Sequence, residues 1–389
     1  MIGAATVTAC DSCLRRGYLV GRLAGHIAGI LDSPHRRVTG LLALPDEKLI
    51  QAVARERAGD ALGFLEEFDA ARARAAVERS QSTAVCRHDS SFPTQLADLE
   101  DAPRVLFTKG RGDLAALSQV EPRVALVGAR RASAYGLEVT HALGRGLGAA
   151  GVTVVSGLAL GIDAQAHRGC LEGGGTPVAV LACGPDVPYP RTNRRLYEQV
   201  CERGLVVAEL PPGQPPFRWS FPARNRIMAG LATLTVVVEA AERSGSLITS
   251  DFAIQLGRPV GAVPGQVTSS RAAGSNALLK DGAAFITSAE DVLDELFGSG
   301  GGSRPRSSSS RDQAEAEAGG DPVQGLLLEA VEAGLGVDGA CAHTGLPVHE
   351  VRAGLSRLEA SGHVSRDALG IYRRTAAERR AISPRHWNA

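Results

Sequence analysis

The 389-residue chain has only three lysines, Lys48, Lys109 and Lys280, although lysine and arginine together number 42. Arginine therefore supplies almost all of the positive charge. Aspartate and glutamate also number 42, which gives a formal net charge of zero. This balance argues against a uniformly basic, histone-like protein and against an electrostatic membrane binder. A net charge of zero is still compatible with local basic surfaces, where arginine pairs with phosphate oxygens better than lysine does.

Long apolar runs are absent as well. The longest candidate, Tyr18 to Leu31, is interrupted by Arg22 and His26, so no transmembrane helix is predicted. The N-terminus lacks the basic, apolar and small-residue pattern of a secretion signal. Seven cysteines scattered over a long chain fit a reducing cytoplasm better than a disulfide scaffold. We therefore expect a cytoplasmic protein that does not bind membranes.

Two familiar motifs occur in the wrong context. The G-x-G-x-x-G match at 146–151 ends a helical stretch, whereas the dinucleotide fingerprint follows a strand and opens a helix. Cys10-x-x-Cys13 suggests zinc with His26 and His35, but those histidines are too far apart for a zinc finger, and no second cysteine pair follows. We therefore expect neither a cofactor nor a metal, and the role of Cys10 and Cys13 stays open.

Composition divides the chain into five segments. Residues 1–84 carry apolar side chains at helical spacing and predict an all-helical domain. Residues 85–297 alternate apolar runs with helical stretches and predict a core domain. Residues 298–320 are rich in glycine and serine and predict a flexible linker. Residues 321–375 predict a helix, a helix-turn-helix and a two-strand wing, and a tail covers 376–389.

The apolar runs of the core predict a doubly wound α/β fold with a parallel sheet. Each run is apolar almost throughout, as in strands covered on both faces. The six runs are Val124–Val127, Val152–Val155, Val178–Leu181, Val206–Glu209, Leu234–Glu239 and Val260–Val263. Helical stretches between them imply βαβ units. Ligands bind such sheets at the carboxyl ends of strands, so the loops after these runs are the candidate site.

Three of these loops place glycine, serine or arginine where a helix begins. Amide groups at a helix N-terminus favour anions, and an adjacent arginine adds a charge-assisted pair with phosphate. The alternative is an ordinary strand-to-helix turn with solvated arginines, in which Asp163 caps a helix. The candidate residues are Gly128, Arg130, Ser133, Ser156, Gly157, Gly161, Asp163, Ser244, Gly245 and Ser246.

A fourth loop region interleaves arginines with aromatic residues. Seven arginines and three acidic residues lie from Arg191 to Arg226, and five of the sixteen aromatics lie from Tyr189 to Phe221. This combination suits single-stranded nucleic acid, because arginine binds phosphates while rings stack on bases. The alternative is a proline-rich surface loop whose rings pack inward. The candidate residues are Arg191, Phe221, Arg224, Asn225 and Arg226.

Together these motifs resemble the DNA-processing protein A family, called DprA or Smf. The matching segments lie at 127–136, 156–163, 189–190, 221–227, 244–249 and 274–283, in the family's order over about 200 residues. The resemblance implies an extended Rossmann-like core, an N-terminal domain like a sterile alpha motif and a C-terminal winged helix. It also implies dimers formed through Leu278 and Leu279, and DNA contacts at Arg130, Arg191 and 224–226.

The resemblance implies a binding protein with no catalytic step. Family members bind single-stranded DNA without sequence preference, receive incoming DNA during natural transformation and help to load the recombinase RecA. The winged helix could bind duplex DNA or a protein, because its second helix carries both arginines and glutamates. The competing hypothesis is a Rossmann-like nucleotide phosphoribohydrolase, but the chain lacks the Pro-Gly-Gly-x-Gly-Thr-x-x-Glu pattern of those enzymes.

Overall fold

The structure is a computed structural model that describes residues 7–30, 39–54, 58–118, 122–298, 322–332, 335–360, 363–366 and 372–374. The chain divides into two compact units, Met1–Gly300 and Gly301–Ala389. Within the described residues, no helix has both the length and the apolar character needed to cross a membrane.

A nine-stranded sheet forms the centre of the first unit. Its strands are β1 (Thr83–Cys86), β2 (Val105–Gly110), β3 (Arg123–Val127), β4 (Thr153–Ser156), β5 (Pro177–Leu181), β6 (Leu205–Ala208), β7 (Leu234–Val237), β8 (Val260–Ala262) and β9 (Ala284–Phe285). They pair in the order β1-β2-β6-β5-β4-β3-β7-β8-β9. The pairs from β6 to β9 are parallel, whereas β2 is antiparallel to both β1 and β6.

The six predicted strands correspond to β3 through β8, and their parallel pairing is as expected. The sheet as a whole is mixed, because β2 runs against its neighbours. Sequence patterning did not identify β1, β2 or β9. The first strand begins at Thr83, just before the predicted core boundary at residue 85.

Seven helices cover the two faces of the sheet. They are α6 (Ala134–Ala149), α7 (Ile162–Glu172), α8 (Arg194–Arg203), α9 (Ser220–Leu231), α10 (Leu247–Gln255), α11 (Ala273–Lys280) and α12 (Ala289–Phe297). Successive residues of β3 enter opposite cores. Val124 and Leu126 pack with α6 and α7, while Ala125 and Val127 pack with α9. Two-sided burial explains why the strands are apolar without alternation.

Five helices precede the sheet and pack in the same compact unit. They are α1 (Asp11–Ile30), α2 (Thr39–Ala43), α3 (Asp46–Ala54), α4 (Ala58–Glu66) and α5 (Ala70–Arg79). Leu23, Ile27 and Leu49 are almost fully buried among these helices. Cys13 and Leu14, at the start of α1, share a cluster with residues of β1 and β2. The helical segment is thereby fixed to the antiparallel end of the sheet.

The second unit contains three helices and one strand pair. They are α13 (Pro322–Glu332), α14 (Val337–Thr344), α15 (Val348–Ala360), β10 (Val364–Arg366) and β11 (Tyr372–Arg374), with the two strands antiparallel. Leu327, Val351 and Leu355 lie in its apolar core. The predicted linker beyond Gly298 and the predicted tail at 376–389 lie outside the described residues.

Candidate functional site

The site lies where the strand order of the sheet reverses. From β3 the chain passes to β4 on one side, and β7 lies on the other side. Loops leaving the carboxyl ends of these strands diverge and leave a crevice between them. A cavity of about 320 Å³ lies there beside a second of about 80 Å³, and both are lined by Arg130, Ala159, Phe221 and Arg224. We call the two cavities together the groove.

The groove brings together most of the predicted contact residues. Those that line it are Gly128, Arg130, Gly157, Asp163, Phe221, Arg224, Asn225, Ser244, Gly245 and Ser246. They come from the loops after β3, β4 and β7 and from the first turns of α7 and α9, and they are up to about 120 residues apart in the chain. Ser133, Ser156, Gly161, Arg191 and Arg226 do not line it.

An arginine and two aromatic rings form the accessible wall of the groove. The guanidinium carbon of Arg130 lies 4.8 Å from the ring centre of Phe221. The ring of Tyr189 lies 5.7 Å from that of Phe221, tilted by 51°, and Tyr189 is 39% exposed. A cation held over a ring and an adjoining exposed ring can bind a phosphate and a base side by side.

A buried charged pair forms the floor of the groove. Burial raises the pKa of Asp163, and the positive charges of Arg224 and Arg130 oppose that rise. Burial likewise lowers the pKa of Arg224, against the effect of Asp163. The guanidinium of Arg224 donates to the carbonyl oxygen of Val180. A Cβ atom at Gly157 would overlap this guanidinium, so glycine is needed there for Arg224 to lie flat against the loop.

The loop before α10 supplies the amide end of a helix. Ser244, Gly245 and Ser246 line the larger cavity with Thr249 of the first helical turn. The side-chain amide of Asn225 donates to the carbonyl oxygen of Gly245 at 3.1 Å, which fixes this loop to α9. The Thr249 hydroxyl is fully buried and has no hydrogen-bond partner in the described part of the chain. The backbone amides at this helix end can donate hydrogen bonds to a phosphate oxygen.

The equivalent position at the start of α6 is already occupied by a carboxylate. The Ser133 hydroxyl donates to Glu239 at 2.5 Å, and the Ser133 amide approaches both carboxylate oxygens at 3.2 Å. Ser133 also caps α6 by accepting from the amide of Gly136. Glu239 therefore takes the place of an anion at this helix end, and the DNA contact expected of the half-buried Ser133 stays a prediction. A single acidic residue at the end of β7 was the available sequence signal for this.

Arg226 is a correction to the sequence-based assignment. Its side chain is completely buried, and its guanidinium holds Glu209 through two hydrogen bonds of 2.8 and 2.9 Å and Asp101 through an ion pair of 2.8 Å. Burial opposes the charge, but Glu209 and Asp101 outweigh burial and raise the pKa of Arg226. A guanidinium enclosed in this way cannot reach a phosphate. Of the Arg-Asn-Arg run, only Arg224 and Asn225 reach the groove.

Of three other predicted residues that do not line the groove, Ser156 and Gly161 shape the backbone around it. The buried Ser156 hydroxyl donates to the carbonyl oxygen of Leu126 and links β4 to β3. Gly161 has a φ of +75° at the start of α7, in the left-handed region that glycine adopts without strain. Arg191 is exposed two residues after Tyr189. Ser156 is thus a structural residue, which corrects its assignment as a DNA contact.

The aromatic residues divide between the groove and the interior. Tyr189 and Phe221 line the groove. Tyr197 is buried and donates to the carbonyl oxygen of Pro185, while the indole of Trp219 donates to the carbonyl oxygen of Ala24 in α1. Phe217 stacks on Trp219. The inward-packing alternative therefore holds for these three rings, because each is covered by a neighbouring helix or loop.

The proposed dimer residues lie on α11. Leu278 packs partly into the core of the sheet, and Leu279 is half-buried. More exposed apolar side chains lie on neighbouring elements of the sheet, at Ile254 of α10 (57% exposed) and Phe285 of the edge strand β9 (62% exposed). Sequence reasoning missed both of these residues.

His167 makes the stability of this region sensitive to acid. Burial, together with the charge of Arg224, lowers the pKa of His167 to about 3. The unfolded chain therefore binds this proton more readily, so the free energy of unfolding falls as the pH drops below about 6.5. We expect His167→Leu to flatten this decline in urea unfolding at pH 7, 5.5 and 4.5. An unchanged slope would contradict a buried, neutral imidazole.

Comparison with known proteins assigns this chain to one family. The model of the family described as DNA recombination-mediator protein A matches residues 83–297. DNA processing protein DprA of Streptococcus pneumoniae is 42% identical over 208 residues, which are 54% of this chain and 72% of that protein. Its solved structure superposes with a TM-score of 0.58 at 33% identity, covering 73% of this chain and 96% of that one.

A second solved structure is similar over the core. It concerns the single-stranded DNA binding mode of DNA processing protein A from Helicobacter pylori. It superposes with a TM-score of 0.50 at 28% identity, covering 56% of this chain and 95% of that one. Because the family model covers more than half of the chain, the chain belongs to the DNA recombination-mediator protein A family, also known as DprA or Smf.

Proposed function

We propose that this protein binds single-stranded DNA in the groove, without sequence preference, as part of DNA processing in recombination or transformation. The observation that carries the proposal is the stack of Arg130 on Phe221 beside Tyr189, at the switch point of the sheet. Every base has a π face, so rings bind any sequence, and the arginine binds the phosphate between stacked bases. The structure of the Helicobacter pylori relative, which concerns single-stranded DNA binding, supports the same ligand class.

The groove suggests a path for the strand. A phosphate binds at the amide end of α10, formed by Ser244, Gly245 and Ser246, and a base lies on the Phe221 and Tyr189 rings. Arg130 lies along both cavities and neutralises the backbone between these points. Asp163 and Arg224 compensate each other in the floor, so among the described residues that line the groove Arg130 supplies the uncompensated positive charge that attracts the strand.

The wider role in the proposal follows the family. The protein receives incoming DNA in the cytoplasm and loads RecA onto it, and the site has no catalytic step. The dimer forms at the β9 end of the core, where Leu279, Ile254 and Phe285 leave apolar surface exposed or half-exposed. The second unit serves as a winged helix, with α14 and α15 as the helix-turn-helix and β10 and β11 as the wing.

The test is a salt titration of DNA binding by the full chain. Labelled oligo(dT) and mixed-sequence single strands should bind with similar affinity and more tightly than duplex DNA of the same length. The logarithm of the affinity should fall linearly with the logarithm of salt, with a slope of about −0.7 for each phosphate contacted. Fluorescence anisotropy between low and physiological salt measures the affinity for each DNA and its dependence on salt.

Two outcomes would count against this function. Preferential binding to duplex DNA, or an affinity independent of salt, would exclude the proposed groove as a strand-binding site. Release of free base from nucleoside monophosphates would show instead the phosphoribohydrolase activity that the sequence pattern disfavours. RecA loading is tested by the rate of RecA filament formation on single strands with and without the protein.

A further inference from the structure

A cluster of three cysteines and one histidine lies at the antiparallel end of the sheet, away from the groove. The fold brings Cys10 and Cys13, at the start of α1, beside Cys86 and His88, at the end of β1 and in the turn after it. The ligand atoms of these four residues all lie within 4.8 Å of one another. Neither Cys10 nor Cys13 lies within the family match, which begins at residue 83.

We propose that Cys10, Cys13, Cys86 and His88 bind one zinc ion. This replaces the sequence-based expectation that the chain has no metal site. That expectation considered His26, His35 and a second cysteine pair as partners of Cys10 and Cys13. His26 lies more than three helical turns further along α1, and His35 lies outside the described residues. The two missing ligands come instead from residues 86–88, which only the packing of α1 against β1 brings close.

The distances match a tetrahedral ion. The Nδ1 atom of His88 lies 3.5, 3.4 and 3.9 Å from the Sγ atoms of Cys10, Cys13 and Cys86. Zinc bonds of about 2.3 Å to sulfur and about 2.0 Å to nitrogen place a sulfur and a nitrogen about 3.5 Å apart in a tetrahedron. Three thiolates and one imidazole form a Cys₃His set, a closed structural zinc site with no position left for substrate.

The surrounding backbone holds the ligands in place. The amides of Thr8 and Ala9 both donate to the carbonyl oxygen of Ala84 at 3.0 Å, which aligns the chain before α1 with β1. The amide of Cys10 donates to the sulfur of Cys86 at 3.4 Å, a contact of the kind that orients ligands around bound metals. Cys13 and Cys86 are buried, Cys10 is half-buried and His88 is exposed, so an ion can enter from the His88 side.

A redox pair made of Cys10 and Cys13 alone is the competing interpretation. It accounts for the Cys-x-x-Cys spacing, but it gives no role to Cys86 or His88, whose ligand atoms point to the same place. A metal site accounts for all four residues. The role of this metal site is structural, because it links Cys10 at the start of the helical segment to Cys86 in the sheet, 76 residues further along the chain.

The experiment measures metal in the full-length protein purified without chelator under reducing conditions. We expect about one zinc per chain by elemental analysis, and X-ray absorption with about three sulfur ligands and one nitrogen ligand. His88→Ala and Cys10→Ser should lose most of the zinc. Cys201→Ser is the matched control, because this half-buried cysteine lies outside the cluster, and it should retain the wild-type content.

A second measurement keeps the proposal testable if a variant folds poorly. Metal-free wild-type protein titrated with Co²⁺ should show the visible absorption of a tetrahedral thiolate complex, saturating at about one equivalent and disappearing on addition of Zn²⁺. Removal of zinc should lower the thermal midpoint of the wild-type protein and not that of His88→Ala. Zinc-free protein with no cobalt spectrum, iron in place of zinc, or equal zinc in His88→Ala would overturn the proposal.

Discussion

Replacing Arg130 with alanine should weaken the binding of single-stranded DNA by about 10-fold to 100-fold, and by a similar factor for every sequence. The expected loss corresponds to about 1–3 kcal/mol, the range measured for one stacking or charge contact with a strand. Arg130 is exposed and lies against Phe221 at the mouth of both cavities. Its removal therefore takes away a phosphate partner without disturbing the core. The salt dependence should fall by about one phosphate contact.

Variants of Phe221 distinguish stacking of the ring on a DNA base from apolar packing in the same assay. Phe221→Leu retains an apolar side chain and removes the ring, so we expect an affinity loss similar to that of Arg130→Ala. Phe221→Tyr keeps the ring and should bind like the wild type. Fluorescence anisotropy at fixed salt measures all of these variants.

Arg203 provides the matched control for charge. It is an exposed arginine at the end of α8. It lies near the amino ends of the parallel strands, whereas the groove lies at their carboxyl ends. Arg203→Ala removes the same charge and should leave the affinity unchanged. Equal losses for Arg130→Ala and Arg203→Ala would show that DNA responds only to overall charge, and the groove would not be the binding site.

Replacing Arg226 with methionine should lower the free energy of unfolding by about 3–5 kcal/mol, because the buried carboxylate of Asp101 and the partly buried carboxylate of Glu209 both lose their partner. Asp101 is 5% exposed, and burial already raises its pKa against the opposing charge of Arg226. A domain stabilised by about 5–15 kcal/mol would lose a large part of its stability. Urea unfolding followed by circular dichroism measures the change.

Two further variants test the cause of this loss. Arg194→Met breaks an exposed ion pair with Glu198, 3.0 Å apart, and should change stability little, because both groups stay hydrated. Adding Asp101→Asn and Glu209→Gln to Arg226→Met should restore part of the lost stability. At a temperature where Arg226→Met is folded, its DNA affinity should equal that of the wild type. A selective loss of affinity in the folded variant would instead support the sequence-based role of Arg226 in DNA binding.

The sequence was sufficient to predict those parts of the fold that depend on local residue patterns. Strands β3 to β8 are apolar because both faces are covered, and that property can be read without coordinates. Strands β1 and β9 were missed because they are short and lie at the two edges of the sheet. Strand β2 lies between β1 and β6 and was missed because its apolar run is only three residues long before Thr108 and Lys109. The loops of the groove were found because strand ends in a parallel sheet meet at one edge.

The function of a residue within these loops or in α9 depended on its neighbours in space. Arg224 and Arg226 are two residues apart, yet one lines the groove and the other is enclosed by Asp101 and Glu209. Ser133 looked like an anion site until Glu239 was seen to occupy it. Partners more than 100 residues away in the chain leave no local signal.

The sequence by itself determined the α/β class, the order of the loops and the family resemblance, because these follow from residue patterns within short segments. Only the tertiary structure decided which arginines are available to DNA, which rings are exposed, and which four ligands meet in the Cys10 cluster. Each of these properties depends on contacts between distant segments, and burial, charge pairing and metal geometry exist only once the chain has folded.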